Sequence, residues 1–360
     1  MKISILRPVE LGPAELTSWR GMQARNVALR NPFLSVDFAL AVGRMRRSAR
    51  IAVVEETQGV VGFFPYELCG WRVGRAIGTG FSDCQALVHE PGLEWNAREL
   101  LRACGLGVWE FDHLLADQAP FVPYHAARER SAIIDLSDGY ESYLHGRRQE
   151  RKNITQATFR KCRKLQREVG DLRFDYDCRD PNILDTLMSW KSAQWRRTNQ
   201  LDRFANASMA TLVEELFTTR TPECTGTLSV LSVAGRPLAA HFGLRSRTVL
   251  TSWFPSYDTE YSHYSPGLLM FFMMAEAAAA QGIRHIDLGK GEMRYKDSLG
   301  NAELAVAQGW VERSRTLGMM RRARRLPGQH LASMLKEHPV LHDHVRRTLR
   351  SLRRTRGSVT

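Results

Sequence analysis

Much that would announce a common function is missing from these 360 residues. No run approaches the roughly 18 uninterrupted apolar residues that mark a membrane-spanning helix, so no span is expected. The opening stretch, MKISILRPVELGPAEL, has neither the apolar core nor the small-residue cleavage site of a secretory signal, which predicts a cytoplasmic protein. The six cysteines, Cys69, Cys84, Cys104, Cys162, Cys178 and Cys224, include no C-x-x-C pair and no accompanying His cluster. They read as reduced, packed thiols, so neither a disulfide frame nor a metal site is expected. H-E-x-x-H, the P-loop and the nucleophile elbow are also missing, which leaves metalloprotease, NTPase and α/β-hydrolase readings without support.

What is present is a globular chain with an uneven charge. A hydrophobic content of 43% allows a sizeable core, and the length predicts two domains or one large composite. The formal net charge is +13, but 13 Lys/Arg and only 3 Asp/Glu lie from Glu312 onward. The body before that point is nearly balanced, so the basic character belongs to the tail. There Leu341, Val345, Leu349 and Leu352 recur at helical spacing among arginines, which predicts an amphipathic basic helix over part of 313–360. Such a helix can pack on the body, lie on an anionic membrane surface at the inner face, or contact nucleic acid.

The body reads as mixed α/β in two similar halves, 1–130 and 131–312. The first has a strand at Ile3 to Leu6, a helix from Pro13, and a second helix over Val36 to Arg46 capped by Ser35. A hairpin spans Arg50 to Tyr66, with further strands at Trp71 to Gly78 and Gln85 to His89. A helix from Asn96 to Cys104, Gly105 and a strand from Val108 to Leu114 follow. The second half opens on a strand, Ala132 to Leu136, with Asp138 as a cap for a helix near Tyr140. A long charged helix is expected over Gly146 to Glu168; its basic face, Lys161 and Arg163 included, reads as a solvated face that can also touch an anionic ligand. Next come helices at Asn182 to Arg196 and Ser208 to Thr218, a hairpin over Thr227 to Arg245 and a strand over Thr248 to Phe254. Each half then ends on helix, Gly, strand, the order that a duplicated unit would show.

The most informative stretch begins at Tyr261, YSHYSPGLLMFFMMAEAAAAQGIRHIDLGKGEMRYK. Ser265 can cap a helix, Pro266 suits its first turn, and Gly282 suits a left-handed C-terminal position. The apolar run from Leu268 to Ala280 predicts a buried helix. Free backbone N–H groups at its start make a ready anion site, although most helix starts bind nothing.

An ordered set of short motifs resembles the CelD-like acyltransferases of the GNAT superfamily, a family associated with cellulose and exopolysaccharide biosynthesis. The set runs through Asn31-Pro32-Phe33-Leu34-Ser35, Gly62-Phe63-Phe64-Pro65, Arg163-Lys164-Leu165 and Ala239-Ala240-His241-Phe242-Gly243-Leu244-Arg245. It continues in Tyr257-Asp258, Tyr264-Ser265-Pro266-Gly267, Asp287-Leu288-Gly289-Lys290-Gly291 and Tyr295-Lys296. It covers roughly residues 31–300 and excludes the tail. The resemblance implies a GNAT fold in tandem, similar to the Fem-type aminoacyltransferases, with acyl-CoA, above all acetyl-CoA, as co-substrate and no metal. It implies that Ser265, Pro266, Gly267 and Leu268 hold the donor, and that the acceptor is a small molecule or glycan. Asp258 becomes an acceptor-binding candidate on the same ground.

Acyl transfer from a thioester needs a group to take the acceptor's proton, donors for the carbonyl oxygen, and help for the leaving thiolate. His241 is the first candidate base because an unperturbed imidazole titrates near neutrality; a hydrogen-bonded core histidine is the competing reading. Asp287 is a base, an acceptor-orienting group or a structural partner. Tyr264 or Tyr295 can protonate the thiolate, or pack with satisfied hydroxyls. Lys296 can bind an anionic group. Trp253, with Trp190 and Trp195, can stack on a sugar, though core packing is the commoner role. Backbone N–H groups of the strand Thr248 to Phe254 can polarise the carbonyl. The expected function is acyl transfer to an amine or hydroxyl of a polysaccharide precursor. The alternatives are a Fem-like transferase using aminoacyl-tRNA and an inactive scaffold at a membrane-bound synthase.

Overall fold

The computed structural model describes residues 2–313, and Met1–Val311 form one compact unit. Its strands are β1 (Lys2–Leu6), β2 (Ala49–Glu56), β3 (Gly59–Leu68), β4 (Val73–Ala76), β5 (Val88–His89), β6 (Val108–Leu115), β7 (His125–Asp135), β8 (Leu172–Asp175), β9 (Thr225–Val233), β10 (Arg236–Arg245), β11 (Val249–Tyr257), β12 (His285–Lys290) and β13 (Ala302–Glu312). The helices are α1 (Pro13–Arg25), α2 (Val36–Met45), α3 (Ala97–Ala103), α4 (Tyr140–Glu150), α5 (Lys152–Glu168), α6 (Pro181–Arg197), α7 (Ala207–Thr218), α8 (Pro266–Ala280) and α9 (Arg294–Leu299).

All the strands join one sheet, in the order β1-β2-β3-β4-β6-β13-β7-β12-β11-β10-β9-β8, with β5 added beside β3. The order is a palindrome in kind. On each side an antiparallel run ends in a parallel pair, β4 with β6 and β11 with β12. The strands between the pairs are exchanged: β7, which follows β6 in the chain, pairs with β12, while β13, which follows β12, lies beside β6. The 130/131 boundary read from the sequence therefore falls inside β7.

Side-chain alternation along the strands separates two faces. Ala240, Phe242 and Leu244 of β10 and Ile51 and Val53 of β2 enter one large core, which holds Trp19 and Met22 of α1, Phe38 of α2, Leu184 of α6 and Leu212 of α7. The residues between them face the other way. Ala239 of β10 packs in a cluster around α8, and Ala52 and Val54 of β2 in a cluster with Leu100 and Leu101 of α3. The halves thus share one core and keep separate ones behind it. Helix α8 buries Leu269, Met270, Phe272 and Met274 almost completely, each worth roughly 1.5–3 kcal/mol.

Local sequence accounts for most element boundaries. Ser35 accepts a hydrogen bond from the Phe38 N–H (3.1 Å), Asn96 from Arg98 (2.9 Å) and Glu99 (3.2 Å), and Gly282 has φ of 81°. Three expectations are corrected. The charged helix breaks at Arg151 (φ −125°, ψ 40°) into α4 and α5. Gly139, with φ of 87°, occupies the N-cap of α4, so Asp138 does not cap it. Ser265 stands at the N-cap of α8 in the left-handed region (φ 58°, ψ 49°), and its side chain makes no capping bond. The basic helix expected within 313–360 lies outside the described residues. Among the described residues, no helix is long and apolar enough to cross a membrane.

Candidate active site

Strands β11 and β12 pair only over Val249–Thr251 and His285–Asp287, after which they part. A cavity of about 540 Å³ occupies the opening, within the usual range for small-molecule sites. Two irregularities shape its rim. The β10–β11 register shifts between Phe242 and Gly243, which makes Trp253 the extra residue of a bulge. The β12–β7 register also shifts between Asp287 and Lys290, where Gly289 takes a φ of 77°. A Cβ on Gly243 would lie 2.2 Å from the Thr251 carbonyl oxygen, so the close approach at the bulge requires glycine there.

One wall is the start of α8. Ser265, Pro266, Gly267 and Leu268 all line the cavity. The Leu269 N–H returns to the Ser265 carbonyl (3.2 Å), while the N–H groups of Gly267 and Leu268 have no hydrogen-bond partner among the described residues. The Ser265 hydroxyl instead accepts from the Lys161 ammonium (2.8 Å), which brings a cation of α5 to the helix start. Unpaired N–H groups, the positive end of a helix dipole and an ammonium together suit a phosphate.

The opposite wall comes mostly from residues that the sequence reading left without a role, Trp195 excepted as a sugar-stacking candidate. Lys191, Gln194 and Trp195 of α6 and Arg203 just beyond it line this side. So do Asp83 and His113, which belong to the first half. The Asp83 carboxylate lies 3.7 Å from His113 Nε2, and Asp112 lies 3.2 Å from His113 Nδ1. Burial raises the Asp83 pKa, partly offset by His113 and reinforced by Asp287.

The residues singled out by sequence divide sharply. Tyr295, Lys296 and Trp253 line the cavity. Tyr295 stacks on Phe271, and burial, reinforced by Asp83, pushes its pKa to about 12. The Lys296 ammonium donates to the carbonyls of Gly289 (2.8 Å) and Lys290 (2.7 Å); burial lowers its pKa, while Asp83 and Asp287 act against that. Trp253 is buried against Phe33 and Phe254.

His241 does not line the cavity. It is fully buried and packs edge-on to Phe271, with neither ring nitrogen hydrogen-bonded. Burial, then the nearby Lys191 charge, pushes its pKa down to about 3, so the near-neutral titration that recommended it as a base is lost in the fold. Tyr264 packs with Leu165, Val233 and Leu238, and its hydroxyl donates to Glu168 (2.6 Å). Asp287 accepts from Ser131 and the Gly289 N–H (2.9 Å), so its carboxylate braces the β12 turn. Asp258 caps the turn after β11 and pairs with Arg236 (3.1 Å). Among the described residues there is no metal-binding group of His, Cys, Asp and Glu.

The comparisons identify the fold in which these parted strands, the bulge and the open helix start occur. Residues 153–297 match the family model described as an acetyltransferase (GNAT) domain. FemX superposes with a TM-score of 0.57 at 10% identity, over 83% of this chain and 97% of that one. A conserved protein of unknown function from Bacteroides thetaiotaomicron VPI-5482 gives 0.52 at 14%, over 82% and 97%. The C-terminal domain of a protein named as a lysylphosphatidylglycerol synthetase from Agrobacterium fabrum gives 0.50 at 14%, over 86% and 97%. At such identities these likenesses concern the fold alone. A comparison with curated proteins gave no match. The class is therefore plain: a mixed α/β protein with a GNAT fold, whose residues 153–297 match the GNAT acetyltransferase-domain model.

Proposed function

We propose that the protein transfers an acyl group, with acetyl as the leading choice, from acyl-CoA to an amine or hydroxyl, by direct attack in a ternary complex. The observation that carries this reading is the α8 start, open at Gly267 and Leu268, beside a gap between β11 and β12. The donor's phosphates would lie at Ser265 to Leu268 with Lys161 beside them. Its pantetheine arm would enter the gap, bringing the thioester to the bulge at Trp253, where ladder N–H groups left unpaired can polarise the carbonyl.

The acceptor then approaches from the α6 side. Its nitrogen or oxygen attacks the carbonyl, the new C–N or C–O bond forms, and the C–S bond breaks. The acceptor's proton passes to Asp83, with His113 Nε2 at 3.7 Å beside its carboxylate. The Tyr295 hydroxyl, kept protonated by its raised pKa, offers a hydrogen bond to the departing thiolate. Asp287 holds the turn that presents Lys296. A polysaccharide precursor as acceptor rests on the CelD-like motifs. A Fem-like use of aminoacyl-tRNA would draw on the arginine face of α5, where Arg160, Arg163 and Arg167 line shallow surface pockets.

Calorimetric titration with acetyl-CoA and longer acyl-CoAs tests the reading, alongside Gly267→Asp. An acidic residue in a first helical turn favours the helix, and a Cβ at Gly267 meets only the Tyr257 ring at 3.4 Å, so the variant should fold. Micromolar binding to the wild type, weakened at least about tenfold in the variant, is expected from the loss of an anion site. A folded wild type that binds no CoA thioester would overturn the proposal and turn attention to tRNA.

A further inference from the structure

The acceptor side of the cavity holds two cations, Lys191 and Arg203, that make no direct ion pair, although the Asp83 carboxylate in the same cavity feels the Arg203 charge. The Lys191 ammonium donates to the Pro255 carbonyl (3.1 Å) and the Gln194 side-chain oxygen (3.2 Å), both neutral, and lies 5.5 Å from the Trp195 ring centre. Arg203 reaches the same space and donates to the Gly80 carbonyl (3.2 Å). Among the described residues, neither belongs to an ion pair. Arginines nearby behave differently: Arg196 pairs with Asp202 (3.5 Å) and Arg179 with Asp177 (2.5 Å).

This arrangement is unfavourable as it stands. Burial, then the like charge of Arg203, lowers the Lys191 pKa to about 8. Lys191 is the half-buried member and Arg203 the exposed one, and an anion between them would offset both the burial of the ammonium and the like charge beside it. Trp253 also lines the cavity, and its indole N–H is buried without a hydrogen-bond partner. Ammonium and guanidinium are both donors, and together they match an oxyanion.

We propose that Lys191 and Arg203 form an anion-binding subsite, so that the acceptor carries a carboxylate or a phosphate beside the group that is acylated. The word acceptor rests on the acyltransferase reading; the anion subsite itself does not. The first half would place Asp83 at the reacting group while α6 and Arg203 hold the acidic end. A neutral sugar would then be a poor acceptor, and an acidic sugar or amino-acid-like compound a good one.

The full chain would be titrated with inorganic phosphate and with malonate at fixed ionic strength, beside Lys191→Met, Arg203→Gln and Gly267→Asp. At least one anion should bind saturably to the wild type. Malonate affinity should fall on the order of tenfold in the Lys191 and Arg203 variants, the loss of one charge-assisted hydrogen bond, and stay unchanged in Gly267→Asp. Phosphate, which the α8 start also suits, should show one component that Gly267→Asp removes and another that the Lys191 and Arg203 variants remove. Which anion binds more tightly tells a phosphate from a carboxylate. Arg203 is exposed, so Arg203→Gln tests the proposal even if Lys191→Met misfolds. No saturable binding of either anion to folded wild type overturns the subsite. So does binding lost in Gly267→Asp yet kept in Arg203→Gln, because that places the anion at α8. Acetyl-CoA titrated into the same proteins separates the two readings: the Lys191 and Arg203 variants should keep their affinity for it. Failure of the wild type to bind acetyl-CoA sinks the transferase reading alone.

Discussion

Gly243 shows how a single position holds the site open. It faces the β11 bulge, and any side chain there would meet the Thr251 carbonyl at 2.2 Å and the His241 ring at 2.8 Å. Gly243→Ala must therefore push β11 away, and overpacking of this kind is worth about 1–3 kcal/mol. Urea unfolding should show a loss in that range, and acetyl-CoA affinity should fall with it, since the bulge moves. An unchanged midpoint would mean that the backbone adjusts freely and that the bulge is not fixed by the glycine. Individual side chains were the least legible part of the sequence. His241 was attractive because it titrates in the right range in water, but that property disappears in a dry wall without partners. Asp83 sits in a glycine-rich segment between strands, and nothing in its own neighbourhood says that β12 will come to face it. The Glu110, Asp112 and His113 run inside an apolar strand was a usable signal, because charge there needs a reason.

Two helices occupy matching places in the two halves, α3 after the β4 region and α8 after β11, and their starts differ in chemistry. Asn96 uses its side-chain oxygen to satisfy two N–H groups of α3, while Ser265 turns its hydroxyl to Lys161 and leaves those of α8 open. The proposed donor site accordingly lies in the second half. Asn96→Ala should destabilise the protein by about 1 kcal/mol in denaturant unfolding and leave acetyl-CoA binding untouched. A parallel loss of donor affinity would move the site to the first half. At this scale the sequence was largely readable, because capping residues, glycines and the hydrophobic period act locally. The misses are instructive. Strand β13 alternates in Ala302, Glu303, Leu304 and Ala305 yet went unread, coming after the last motif. Ser265 was expected to cap by its residue type alone; a left-handed backbone points its hydroxyl elsewhere, and no local rule reveals the α5 lysine that donates to it.

The exchange of β7 and β13 makes the molecule more than two units in a row. Each half completes its sheet with a strand from the other part of the chain, and the α1, α2, α6 and α7 side is one continuous core. Such pairing is non-local, which is why a sequence divided at residue 130 into halves of similar order cannot show that they interlock. It also carries Asp83 and His113 to a cavity whose α8 wall, the proposed donor side, lies in the other half. Asp83→Asn tests the consequence. The substitution keeps size and polarity but removes the proton acceptor. Turnover, followed as CoA released with an acceptor that supports it, should fall on the order of 10²–10⁴-fold, while the affinity for acetyl-CoA stays unchanged. The sign of the pH dependence follows from the raised pKa: the carboxylate must be ionised to act, so wild-type turnover should climb with pH through a value above that of an ordinary aspartate. The variant should lose that limb. If Asp83→Asn weakened donor binding and turnover together, Asp83 would belong to the donor site, and the division of labour between the halves would fail.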